Sequence, residues 1–315
     1  MIPKIPEVSD EELLAALGGN STDCNETFSH EIQAKRDKAG SCSRKDLNGI
    51  FNTVSNNLIQ NAVFELSPIG DAIVQVAASK INPKSSKFEP IRITGREILI
   101  ACHYNPNSGS MMKKVKDALD AFHKKPIKLA IEDEETGFRI ERSFHWFDHA
   151  DVLAGEGKLV VAEVEFHKFL KKELLGLSTN FTKTYLKYAL PINEIFARRL
   201  YRICKSMHYD TTKTYTFHKT VSQLKMDMGI TVDIDEDTKL PDPKYSDWSR
   251  FKQRRLDPAI KQINEKTDIN VFYDRVIADN GQTVGVDITV GAKDPVSLLK
   301  LEMKIKETEK KLLGG

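Results

Sequence analysis

The chain has 315 residues, of which 40% are apolar and 29% charged, with 47 basic against 45 acidic residues and a formal net charge of +2. That length exceeds one comfortable core and predicts roughly two domains at about 100–200 residues each, while the apolar content excludes a wholly disordered chain and the charge balance argues against a simple polycation that coats nucleic acid. Cysteines at 24, 42, 102 and 204 form no CxxC pair, no apolar run approaches the ~20 residues that span a bilayer, and the acidic start MIPKIPEVSDEE lacks a signal-peptide pattern, so a cytoplasmic protein with no membrane contact and no cofactor is expected.

Residues 1–46 read as a flexible N-terminal tail with one short helix at Asp10–Leu17. They are polar, they contain the Gly18–Thr22 run, and up to residue 50 they carry six basic against nine acidic residues. From Leu47, Ile50, Phe51, Val54, Leu58 and Ile59 recur at helical spacing, and further apolar runs at Ala62–Leu66 and Ala72–Ala78 predict two or three helices. A short apolar segment, Ile91–Ile93, precedes Thr94-Gly95-Arg96-Glu97, whose spacing is that of a capping box opening a helix through Ala101. A basic helix over Met111–His123 then feeds strands Ile127–Ile131 and Phe138–Phe147, followed by a strand at Lys158–Phe166, a helix at Phe169–Leu175 and a linker at 176–180.

The second half repeats the plan. Ile192, Ile195, Phe196, Leu200, Ile203 and Met207 mark one face of a long helix, and Lys213–His218 alternates as a strand. Thr220-Val221-Ser222-Gln223 is a capping-box start for a short helix, with Gly229 placed for a left-handed C-cap. A polar loop, Thr231–Asp247, leads to the basic stretch Trp248–Lys266. Strands Ile269–Ile277 and Val284–Val290 close a hairpin across Asp279-Asn280-Gly281-Gln282, and Asp294-Pro295 starts a terminal helix. Helix, strand, helix, loop, basic helix and hairpin make a winged helix-turn-helix, so the expected fold class is α+β with two tandem winged-helix domains. The expected boundaries are 47–177, 178–292 and a C-terminal helix over 293–315.

The basic stretch carries the functional reading. At about 100° per residue Arg250, Arg254 and Lys261 fall on one side, with Phe251, Leu256, Ile260 and Ile263 opposite, and Pro258 either kinks the helix or begins a new one at Asp257. Guanidinium groups can donate twice to guanine in a major groove, while Lys252 or Arg255 can neutralise phosphate. Arg198, Arg202 and Lys205 form a second stripe expected to reach flanking phosphates, and Lys244 and Gln253 complete the DNA-binding set. Arg275 on the first wing strand is placed either for a minor groove or for solvent. Residues 180–275 hold 18 basic against 13 acidic residues, and five of those acids lie at 233–242. That acidic loop fails as a calcium site, with Thr238 where the turn glycine belongs and Lys244 at position twelve. His145–His149 has HxxxH spacing at a strand end and reads as surface and core histidine, not a metal-dependent nicking site. No phosphate-binding, nucleophile-elbow or zincin motif occurs, so no catalytic residue and no enzyme activity is expected.

Phe181–Tyr185 (FTKTY), Phe196–Ile203 (FARRLYRI), Phe251–Ile269 and Gly155–Lys158 before a strand resemble the initiator replication proteins of theta-replicating, iteron-bearing plasmids. The resemblance covers roughly residues 50–290. It implies two related winged-helix domains, the second reading iteron repeats in the major groove and the first adding DNA contacts and a dimer interface. It also implies a homodimer in equilibrium with a monomer, repression of the protein's own gene, origin melting, and recruitment of host initiator and replicative helicase. The N-terminal tail and the long acidic loop at 233–243 depart from minimal members. The competing expectations are a winged-helix transcriptional regulator without a replication role, and an enzymatic relaxase.

Overall fold

The computed structural model describes residues 49–82, 85–132, 136–154, 160–227 and 247–314. The tail expectation, the acidic loop, Gly229 and Lys244 lie outside the described residues. The chain divides after Asp46, and Leu47–Gly315 forms one unit.

The described chain opens as a strand, not the helix that the spacing predicts. Strand β1 (Phe51–Ser55) gives way to a short helix α1 (Asn56–Asn61) at Ser55, whose hydroxyl accepts the Leu58 amide at 3.0 Å. The reason is a remote partner: β1 pairs antiparallel with β8 (Phe181–Tyr185), Phe51 opposite Tyr185 and Ser55 opposite Phe181. Helical periodicity within ten residues cannot see a strand 130 positions away, and Phe, Thr and Val suit either state until that partner decides. A two-residue strand β2 (Val63–Phe64) leads to α2 (Pro68–Ser79), which starts on the Ser67 side chain with Pro at its first turn and is buried from Ile69 to Ala78.

Strand β3 (Ile91–Thr94) then passes into α3 (Gly95–Ala101) through the predicted capping box. The Thr94 hydroxyl accepts the Glu97 amide at 3.2 Å while the Glu97 carboxylate accepts the Thr94 amide at 3.4 Å. The basic helix α4 (Gly109–Ala121) follows. The predicted strand at 138–147 ends at Phe144, and β6 (Phe147–Ala154), which the periodicity did not predict, follows it: β4 (Ile127–Glu132) and β5 (Arg139–Phe144) form one hairpin, β6 and β7 (Val161–Phe166) another. Trp146 is buried at the break, its ring edge-on to Phe64 at 5.1 Å. After a short helix α5 (Lys171–Leu174), β8 and α6 (Leu186–Ala189) lead to the long helix α7 (Ile195–Met207).

Strand β9 (Tyr215–Thr220), helix α8 (Val221–Asp227), the helical stretch 248–266 and the hairpin β10 (Ile269–Ile277) and β11 (Thr283–Ala292) complete the second winged-helix unit. Thr220 and Gln223 reproduce the Thr94–Glu97 capping box, with mutual bonds of 3.1 and 3.2 Å. The equivalence extends to the sheets. In each unit the hairpin's second strand lies beside the strand that precedes the helix-turn-helix, giving orders β3-β7-β6 and β9-β11-β10. The counterpart of the second wing is therefore β6–β7. Hairpin β4–β5, which pairs with β2, is an insertion between α4 and that wing.

Two hydrophobic cores result, one from residues 54–174 with Leu186, Leu190 and Ile203, the other from Tyr188 onward. Helix α7 serves both: Ile203 enters the first core, while Phe196, Ala197, Leu200, Tyr201 and Cys204 enter the second. The terminal helix α11 (Pro295–Gly314) packs across the junction. Glu302 accepts from Lys187 Nζ at 2.6 Å and from the Tyr188 hydroxyl at 2.7 Å, and Ile305 is buried.

Beneath α11 lies a cavity of about 280 Å³ whose walls include Cys102, His103, Tyr104, Pro191, Lys266 and Ile305. His103 has left-handed backbone (φ 59°), and burial, reinforced by the nearby Lys266 ammonium, lowers its imidazole from 6.5 to about 4. The unfolded chain takes up this proton near pH 6.5 and the folded chain only near pH 4. Stability is thus complete above the first value and declines between them, by up to about 3 kcal/mol. His103→Asn, which tolerates the left-handed backbone, should flatten the urea-unfolding stability profile between pH 6.5 and 4; an unchanged slope would assign the pH dependence to other groups.

Candidate nucleic-acid interface

The basic stretch is one helical rod with a widened middle. It comprises α9 (Trp248–Phe251), a π-helical segment Lys252–Leu256 and α10 (Asp257–Lys266). Asp247 caps it, its carboxylate accepting the amides of Ser249 at 3.2 Å and Arg250 at 3.3 Å. At Pro258 the backbone stays helical, Leu256 and Asp257 both being right-handed, so no separately capped helix begins at Asp257 and the disturbance takes the form of a widened turn. Proline has no amide to offer the Arg254 carbonyl and its ring crowds that oxygen, so the preceding turn widens and the Asp257 amide donates to the Lys252 carbonyl five residues back.

Inward, Phe251, Leu256, Ala259 and Ile263 are buried, with Phe251 edge-on to Phe196 at 6.1 Å. Outward, Arg250, Gln253, Arg254 and Lys261 are exposed, and Lys252 and Arg255 are half-buried. The sequence pattern is therefore realised as a cationic face over an apolar one. Arg250 and Arg254, four residues apart across the widened turn, stand on that face. Lys252 Nζ meets Asp257 Oδ2 at 2.8 Å, and the other oxygen of Asp257 accepts the Tyr273 hydroxyl at 2.7 Å, which together with burial raises the phenol's pKa. This carboxylate ties the rod to the wing. Lys261 makes only a loose pair with Glu265 at 3.9 Å.

The wing sheet places Arg275 exposed on β10, opposite Val286. Its tip closes through Ala278 and Gln282, paired at 2.9 Å, with Gly281 at φ 79° supplying the left-handed step. Ile277 and Val284 stand exposed beside that tip.

The stripe on α7 is corrected by the structure. Arg198 has 0% exposure and donates to the carbonyls of Pro68 at 2.6 Å, Leu190 at 2.6 Å and Ile192 at 2.7 Å, with Asp71 Oδ2 at 3.3 Å. Arg202 is buried with Asp71 Oδ1 at 3.9 Å, and Lys205 pairs with Asp268 at 2.9 Å. These cations face protein acceptors and do not reach a flanking backbone. Both faces of α7 are covered, one by each core, so the arginines that a helical wheel assigns to solvent meet the first unit instead. The sequence clue was the acid and amide, Asp71 and Gln75, inside the otherwise apolar helix 68–79.

The basic helix predicted over Met111–His123 is α4, which supplied no residue to the expected DNA-binding set although the repeat places it where 248–266 stands in the second unit. There Lys113 and Lys114 are exposed and Lys116 half-buried, with Met112, Val115, Ala118 and Leu119 turned inward. The HxxxH histidines converge on no metal site. His149 lies 3.8 Å from Glu165, His167 lies 3.4 Å from Asp148, and among the described residues no group of three or more His, Cys, Asp or Glu side chains is placed to hold a metal. Among the described residues no helix is long and apolar enough to cross a membrane.

Two family models match this chain: initiator replication protein, WH1, over residues 53–205, and initiator Rep protein, WH2, over residues 231–290. No curated protein matches significantly. Among solved structures, the crystal structure of Pi initiator protein in complex with iteron DNA has a similar fold, with a TM-score of 0.63 at 16% identity over 78% of this chain and 98% of that one. The first match runs through α7, the helix that both cores share. With its two winged-helix units matched in order, the chain belongs to the initiator replication protein family.

Proposed function

We propose that this protein is a plasmid replication initiator that binds iteron repeats at an origin through the rod 248–266, without enzymatic chemistry. The observation that carries the reading is the exposed Arg250, Gln253 and Arg254 face, presented on a winged-helix unit that is the second of two in an initiator family. Lys252, Arg255 and Lys261 on the same rod, and Arg275 on the wing, supply phosphate or minor-groove contacts. Lys244 belongs to the same proposed set.

Bound repeats would then be melted using binding energy, host initiator and replicative helicase recruited, and the gene repressed by the homodimer. For that homodimer, β5 offers an edge with no strand partner beyond β4 among the described residues, with exposed Ile140 on it and exposed Phe138 just before it. The test is plasmid maintenance. A DNA fragment carrying this gene and its upstream DNA, with no other origin, should replicate in a transformant; specific binding to that DNA without replication would favour a winged-helix transcriptional regulator.

A further inference from the structure

The buried charges at the junction are not used by the reading above, and their arrangement is specific. Asp71 on α2 is 1% exposed; its Oδ2 takes Gln75 Nε2 at 2.6 Å and faces Arg198 at 3.3 Å, while Oδ1 faces Arg202 at 3.9 Å. The Arg198 guanidinium thus joins the first unit, through Pro68 and Asp71, to the segment 190–194 between α6 and α7, through Leu190 and Ile192. A buried pair is weak evidence for net stability, because desolvation opposes the attraction. A rigid guanidinium fork satisfied by four acceptors is strong evidence for one geometry, because few other placements of α7 satisfy it.

That geometry propagates to the reading helix. Rod residues Ala259 and Ile263 share a core with Leu200 and Tyr201 of α7, and α10 packs directly on it. The hydroxyl of Tyr201 and the ammonium of Lys205 both hold Asp268, just beyond the rod's end, at 2.8 and 2.9 Å. A shift of α7 against Asp71 therefore moves 248–266 relative to α4. Two helices reading one duplex must match a groove repeat of about 34–36 Å, and a rigid connection makes the second contact intramolecular.

Resting on the proposed DNA-binding reading, we infer that Asp71 is a positioning residue: through Arg198 and Arg202 it sets the second unit's recognition helix against the first unit so that both meet one duplex in register. The test is hydroxyl-radical footprinting of full-length Asp71→Asn on repeat DNA, well below its melting temperature, with circular dichroism confirming the fold. The expected result is a footprint that keeps the segment under 248–266, loses the segment under the first unit, and weakens at least about tenfold in affinity. A folded variant with the full footprint and affinity within twofold of wild type would overturn the inference, because a role in stability alone lowers the melting temperature without shortening the footprint. If Asp71→Asn does not fold, Arg202→Gln, which leaves the closer Arg198 pair intact, decides by the same two outcomes. Failure of the wild-type protein to protect the repeats would instead defeat the DNA-binding reading.

Discussion

Replacing Arg250 and Arg254 together with alanine is expected to weaken binding to repeat DNA by at least about thirtyfold. Each guanidinium that donates twice to guanine is worth about 1–3 kcal/mol, so two are worth about 2–6 kcal/mol. Both side chains are exposed on the rod's outer face, so the fold should be untouched. Phosphate contact makes a different prediction. Losing two phosphate partners would weaken all sequences alike and lower the slope of log affinity against log salt by about 1.8, whereas losing two base contacts collapses discrimination between repeat and shuffled duplex. A gel-shift titration at two salt concentrations separates these, and affinity within twofold of wild type would show that this face of the rod does not touch the DNA.

The second large effect concerns Arg198. Arg198→Ala is expected to cost about 3–5 kcal/mol of stability, because truncating one partner of a buried pair strands the other. Asp71 would keep Gln75 and the longer Arg202 contact, while the carbonyls of Pro68, Leu190 and Ile192 would lose their donor. Arg198→Lys should also be costly, since one ammonium cannot serve acceptors placed around a planar fork. Urea unfolding measures both. A loss below about 1 kcal/mol, combined with weakened DNA binding, would restore the phosphate role that the sequence pattern suggested.

What could be read in the sequence was local. The capping boxes at Thr94 and Thr220, the turn at 279–282, the apolar and cationic faces of 248–266 and the duplicated order of elements all depend on residues within one or two turns of each other. What could not be read depends on partners far along the chain. Strand β1 owes its conformation to Phe181–Tyr185, and the arginines of α7 owe their burial to Asp71. A helical wheel distinguishes faces but does not say which of them is solvent, and a helix shared by two cores has no solvent face to assign. Helix α4 was legible as a basic helix in a repeated plan, but which of its lysines face outward depends on how Met112, Val115, Ala118 and Leu119 pack. Pro258 falls between the two cases, since its sequence position announced a disturbance whose form, a widened turn, required the intact rod around it.

The division of the charged side chains also clarifies the near-neutral balance of the chain. Arg198, Arg199 and Arg202 are buried against carbonyls and Asp71, so they contribute little to the outer field, while the exposed cations are spread over several elements, among them Arg250, Arg254 and Lys261 on the rod, Lys113 and Lys114 on α4, and Lys300, Lys304, Lys306, Lys310 and Lys311 on α11. If the rod reads bases as proposed, base contacts and not net charge decide the binding site.

The central claim is sequence-specific recognition, and fluorescence anisotropy with the full-length protein tests it most directly. The account expects direct repeats in the DNA beside the gene, and labelled duplexes carrying them should bind at least about a thousandfold more tightly than shuffled duplexes of the same composition at physiological salt. Equal affinity for both duplexes would contradict the account.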